Sequence, residues 1–139
     1  MSLIDRIRRA LTESEAATTP DADDPRLRGR TYAIPFDTVW REAVALATAR
    51  LPEWNLLLAD DREGLIRASV TWKRFNIVTD ITIHIVLDMN AQTRVDARAV
   101  SRVRRGDLGA SVRHLDRFFR ALDRAVTAAA PAPVAAGSG

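Results

Sequence analysis

"IVTDITIHIVLDMNAQTRVDARAVSRV", residues 77–103, is the stretch whose reading decides the fold. Two alternating apolar–polar runs flank a short polar segment, the pattern of two half-buried strands joined as a hairpin. Successive side chains point to opposite sides of a strand, so Ile77, Ile81, Ile83, Ile85 and Leu87 share one face with Val95, Ala97, Ala99 and Val103. Asp80, Thr82 and His84 fall on the other face, with Arg94, Asp96, Arg98 and Arg102. One side requires cover from helices, and the other carries its charges into water.

Two more strands precede this pair. "WNLLLAD" (54–60) leads through "DREG" into "LIRASVTW" (65–72), and "KRFN" connects that run to residue 77. Each connection is too short for a crossover, so the strands are expected to be antiparallel neighbours. "RTYAI" predicts a short strand ahead of them. "PFDTVWREAVALATARLP" (35–52) predicts a helix with the stripe Phe36, Val39, Trp40, Ala43, Leu46, Ala47 and Leu51, closed by Pro52. A last helix is predicted from Asp107, a good N-cap, with Leu108, Val112, Leu115, Phe119, Leu122 and Val126 as its seam and Phe118 widening it. The fold class is therefore α+β. The expected architecture is a curved antiparallel sheet of about five strands with helices packed on one face, in the order β-α-β-β-β-β-α, helix-grip-like and preceded by a short amphipathic helix.

That leading helix is assigned to residues 1–15, where Leu3, Ile4, Ile7 and Leu11 form a stripe among arginines. Residues 16–27 read as a linker, 28–127 as a single α+β domain, and 128–139 as a disordered Ala/Pro-rich tail.

Composition excludes several classes. Net charge is only +3 over 139 residues, which argues against nucleic acid as a partner. The run from Arg94 to Arg124 is more basic, with nine Arg and four Asp, yet no aromatics alternate with those arginines as a stacking platform would need. Cysteine is absent and only two histidines occur, so disulfides, thiolate chemistry and a multi-histidine metal site are not expected. No cofactor is implied. No apolar run reaches the roughly 18 residues of a membrane span, and no secretory h-region is evident. The expected location is the cytoplasm, with peripheral membrane attachment through the basic leading helix left open.

The wet face of the sheet is the first candidate site. Pairing Trp72 with Ile77 sets Ser69 opposite Asp80 and Arg67 opposite Thr82. Pairing Asp88 with Arg94 sets His84 opposite Arg98 and Asp80 opposite Arg102, while a two-residue slip sets His84 beside Asp96. Either way Arg67, Ser69, Asp80, His84, Arg98 and Arg102 form one patch, apt for phosphate or carboxylate if its guanidinium groups converge. The plain alternative is a set of ordinary cross-strand ion pairs. Catalysis has little support: Asp80 and His84 lie about 13 Å apart along one strand at about 3.3 Å per residue, and no nucleophile elbow or phosphate loop is present. No catalytic or metal-binding residue is assigned. A second candidate is a partner or membrane contact formed by Leu3, Ile7 and Leu11 together with Trp72 and Phe75 at a hairpin tip.

The segment "VDARAVSRVRRGDLGASVRHLDRF", preceded by "TDITIHI", resembles the signature of the bacterial and plant DUF1499 family, V-D-x-R-S-x-S-R-x-G-x-x-D-x-G-x-N-x-x-R-I. The matching residues are Asp80, Asp96, Arg98, Ser101, Arg102, Asp107, Gly109 and Arg113, and the likeness extends over about residues 28–124. Thr79, Ala99, Arg105 and Ser111 depart from the pattern, and the early cysteine and exported or anchored N-terminus of some members are missing. The resemblance implies a domain of unknown function in which Asp107 and Gly109 build a strand-to-helix corner. The leading functional expectation is a non-enzymatic binding or scaffold module acting through protein or peripheral-membrane contacts. The alternative is a receptor for a small anionic or lipid-like ligand, and an enzyme of unknown reaction ranks third. The oligomeric state is not readable from the sequence.

Overall fold

The computed structural model describes residues 14–103 and 106–129. The leading stripe Leu3, Ile7 and Leu11 and the Ala/Pro tail from residue 130 onward lie outside the described residues. Six strands form one antiparallel, unclosed sheet: β1 (Glu15–Ala17), β2 (Arg30–Tyr32), β3 (Trp54–Asp60), β4 (Leu65–Trp72), β5 (Ile77–Leu87) and β6 (Thr93–Ser101). Their order is β1-β6-β5-β4-β3, with β2 also pairing to β6 beyond the end of β1. Helix α1 (Phe36–Ala45) and helix α2 (Ala110–Ala129) complete the α+β fold.

The alternation of β5 and β6 is visible residue by residue. Ile77, Ile81, Ile83, Ile85, Val95, Ala97 and Ala99 are buried, whereas His84 and Arg98 are exposed. The buried side joins Ile66, Ala68 and Val70 of β4, Val39 and Ala43 of α1, and Leu115, Phe118, Phe119 and Leu122 of α2 in one core. At roughly 1.5–3 kcal/mol per fully buried large apolar side chain, this shared face is the main stabilising feature. Trp54 stacks on Phe118 at 5.6 Å between ring centroids, tying the start of β3 to α2. Asp123 of α2 ties down β2, accepting from the Tyr32 hydroxyl at 2.6 Å and from Arg30 Nε at 3.1 Å. Burial first, and then that carboxylate, push the Tyr32 phenol far up from its usual range.

Four expectations are corrected. Residues 15–17, divided between a helix and a linker, are strand β1: Ala16 is buried opposite Ala99, and Thr18 extends the contact by bonding Ala97 and Asp96. The sheet therefore has six strands rather than about five. Helix α1 ends in a wider turn over Leu46–Arg50, closed by the Leu51 N–H bonding back to Leu46 O at 3.0 Å; this keeps Leu46, Ala47 and Leu51 buried up to the Pro52 stop. Leu87 and Leu108, expected inside, are 62% and 45% exposed. Leu87 ends its strand, and Leu108 sits with positive φ on the corner before α2 begins at Ala110.

Candidate functional site

All six residues of the predicted patch lie on strands β4–β6 or just beyond β6, on the side away from the helices. The β4–β5 register is as expected, with Ser69 opposite Asp80 and Arg67 opposite Thr82. The β5–β6 register is not: Leu87 pairs with Thr93, so His84 faces Asp96 and Thr82 faces Arg98, the two-residue slip. The cause is Asp88, which serves as a loop cap rather than a strand residue. Its Oδ1 accepts from the N–H groups of Asn90 and Gln92, both at 2.9 Å, and Ala91 takes a left-handed φ of 58°.

In this arrangement the β6 arginines are already engaged. Arg102 holds Asp80 by two bonds, Nε–Oδ2 at 2.9 Å and Nη2–Oδ1 at 2.8 Å, and the guanidinium holds the Asp80 carboxyl below its ordinary range. Arg98 pairs with Glu15 of β1 at 2.6 Å. Arg94 makes a two-pronged contact with Asp96 and also donates to Arg28 O at 2.7 Å. His84, although opposite Asp96 in register, donates from Nε2 to Glu63 O at 3.1 Å. Arg67 makes no ion pair among the described residues, but its charge acts on Asp80. The other three arginines are held in neutralising pairs, Arg102–Asp80 and Arg98–Glu15 across strands and solvent-exposed, Arg94–Asp96 along β6 and partly buried, without a convergent guanidinium cluster.

At the hairpin tip, Trp72 and Phe75 meet edge to face at 4.6 Å, with Arg74 over Phe75. Trp72 also lies under the Arg113 guanidinium, 4.6 Å from its ring centroid, so this ring is turned toward α2. Phe75 remains 43% exposed.

The corner between β6 and α2 is a buried polar network. Asp107, only 2% exposed, accepts at Oδ1 from Gly109 N (3.1 Å) and at Oδ2 from Ser101 Oγ (2.6 Å), Ser111 N (3.0 Å) and the Ser111 hydroxyl. Ser101 spends its single proton on Asp107, so the Thr79 hydroxyl donates to Ser101 Oγ at 2.8 Å. Four donors around one carboxylate satisfy a charge that would otherwise be prohibitive at this depth. Every hydroxyl here is committed to architecture.

The feature that sequence reasoning missed lies beside this corner. The turn Pro52–Glu53, the start of β3, the end of β4 and the first half of α2 enclose a pocket of about 90 Å3. Its apolar walls are Pro52, Trp54, Val70 and Trp72, and its polar groups are Glu53, Arg113, His114 and Arg117. His114 is 7% exposed, and its buried Nε2 has no hydrogen-bond partner among the described residues. Burial lowers its pKa from the ordinary 6.5; the Asp107 charge opposes that shift, Arg113 and Arg117 reinforce it, and Glu53 opposes it. The imidazole is thus neutral at neutral pH. One signal was available: Ser111, His114 and Phe118 share a helix side, so polar residues interrupt an apolar surface.

Among the described residues, no three His, Cys, Asp or Glu side chains group as a metal site, and no helix is long and apolar enough to cross a membrane. A family model, described as a protein of unknown function (DUF1499), matches residues 7–122. The chain belongs to the DUF1499 family. The match spans β1 through most of α2, so residues 7–27 belong to the DUF1499 region, with Glu15–Ala17 among them in the sheet. No curated protein matches the chain.

Proposed function

We propose that this DUF1499 chain is a binding module for a small ligand, and that its site is the pocket between α2 and the β3–β4 end of the sheet. The observation that carries this reading is a cavity of about 90 Å3 walled by two tryptophans and lined by His114, whose buried Nε2 has no partner among the described residues. Buried polar atoms are paired in most proteins, so an unpaired one in a residue that lines a cavity marks that cavity as the place to test for a ligand. A sheet with two helices across one face, read as helix-grip-like, is compatible with such an interlayer site. The test is a thermal-shift panel of small carboxylates, phosphates, neutral amides and lipids, followed by NMR mapping of any hit. A ligand at a hundred times its Kd adds about 2.7 kcal/mol of stability. Hits are expected to perturb Trp54, Trp72 and His114. An empty panel, or hits mapping only to the outer face of the sheet, would remove the reading.

A second reading, contact with a protein or an anionic membrane surface, draws on exposed Phe75 between Lys73, Arg74 and Asn76. It predicts flotation with anionic vesicles that weakens in Phe75→Ser and in a chain lacking residues 1–13. A longer deletion would remove β1 and confound the result. Equal, negligible flotation of all three proteins counts against it.

A further inference from the structure

We infer that the His114 pocket takes a monocarboxylate borne on a small apolar body, an inference that rests on the pocket being the ligand site. Arg94, Arg98 and Arg102 of the outer face are engaged by Asp96, Glu15 and Asp80, whereas Arg113 and Arg117, like Arg67, make no ion pair among the described residues, and of these three only Arg113 and Arg117 line this cavity. Arg113 is fixed instead by stacking on Trp72, a face contact that orients a guanidinium without neutralising it.

Size and sign narrow the ligand. At ~15 Å3 of such space per water-sized group, a pocket of about 90 Å3 holds about six non-hydrogen atoms. Asp107, whose charge also reaches His114, does not line the pocket and is taken up by its own four donors. Among the lining residues, two guanidinium charges against the one carboxylate of Glu53 leave a single positive charge. A monoanion balances it, whereas a dianion would be left in excess beside Glu53. Neutral His114 adds a polar wall without a charge, so Arg113 and Arg117 are the groups that meet the carboxylate. Trp54, Val70 and Pro52 then cover the ligand's apolar part.

The test uses the full chain and three probes of nearly equal size: butyrate, its neutral isostere butyramide, and inorganic phosphate. NMR titration follows the His114 imidazole and the Trp54 and Trp72 indole signals. Butyrate is expected to give saturable shifts at all three residues, with at least tenfold weaker binding for butyramide and for phosphate. The double variant Arg113→Gln/Arg117→Gln, verified as folded by its spectrum, is expected to lose at least tenfold in butyrate affinity and to bind butyrate and butyramide alike. Butyramide binding as well as butyrate in the wild type would overturn the carboxylate assignment while leaving the pocket as a ligand site. Tighter binding of phosphate would overturn the monoanion. Absence of binding by all three would overturn this inference, and an empty wider panel would then remove the reading beneath it.

Discussion

Asp80 and Arg102 meet through two parallel hydrogen bonds of 2.9 and 2.8 Å although they are not register partners. Asp80 stands opposite Val100, and Arg102 reaches it diagonally from two residues further along. Long side chains bridge such diagonals, so the ion pair survives the slip that moved every direct partner. Arg102 is solvent-exposed, and water screens the attraction. Arg102→Gln should therefore leave the melting temperature within the reproducibility of the scan. The Asp80 carboxyl, held low by Arg102, should titrate at higher pH in that variant when followed by NMR. Its contribution is present above the ordinary carboxylate range and fades as pH falls through the lowered value. A large loss of stability would show that this face is structural rather than a solvated surface.

Asp107 should behave in the opposite way. Its carboxylate collects four donors at 2% exposure. Asp107→Ala removes a helix cap worth about 0.5–2 kcal/mol and leaves buried hydroxyls and N–H groups open, each costing about 1–3 kcal/mol. Urea unfolding should register a loss of about 3 kcal/mol or more, with a smaller loss for Asp107→Asn, which keeps one acceptor. Indistinguishable midpoints for wild type and Asp107→Ala would refute the corner as a structural device.

These two carboxylates also show what was legible in the sequence. Alternation in 77–103 gave the faces because a slip of two residues preserves them; only a slip of one exchanges them. It could not give the pairing, since that depended on whether Asp88 extends the strand or caps the loop. Strand β1 escaped notice because three residues, one of them buried, are too few to establish a period. The pocket escaped because it is assembled from three separated segments, and no local pattern joins Glu53 to Trp72 or His114.

Gly64 and Gly109 separate two reasons for glycine. Both have positive φ, 66° and 79°. A Cβ at Gly64 would stand 2.0 Å from the Ile85 carbonyl oxygen, where the β3–β4 turn crosses β5, whereas one at Gly109 meets nothing within 4 Å. Gly109→Ala should cost about 1 kcal/mol, the strain of the left-handed backbone alone. Gly64→Ala adds a clash with backbone that cannot rotate away and should cost about 2–4 kcal/mol. Equal losses in chemical denaturation would mean that the close approach to Ile85 is not a constraint.

His114 should give the fold a dependence on mildly acidic pH. The groups facing it are Asp107 and Glu53, which favour its protonation, and Arg113 and Arg117, which oppose it; burial dominates and lowers its pKa. A base with a lowered pKa in the folded state binds fewer protons there than in the unfolded chain, whose histidine titrates near 6.5. Stability should therefore be full above about pH 6.5 and decline as pH falls, with a slope of at most about 1.4 kcal/mol per pH unit, until the folded imidazole itself is protonated. His114→Gln, which keeps a polar side chain at the cavity, should flatten that segment of the curve while leaving the carboxylate-linked decline at lower pH intact. Urea unfolding at half-unit steps from pH 7.5 to 4.5 measures both proteins. Parallel curves through that window would show that the imidazole charges without penalty, and hence that water already reaches it.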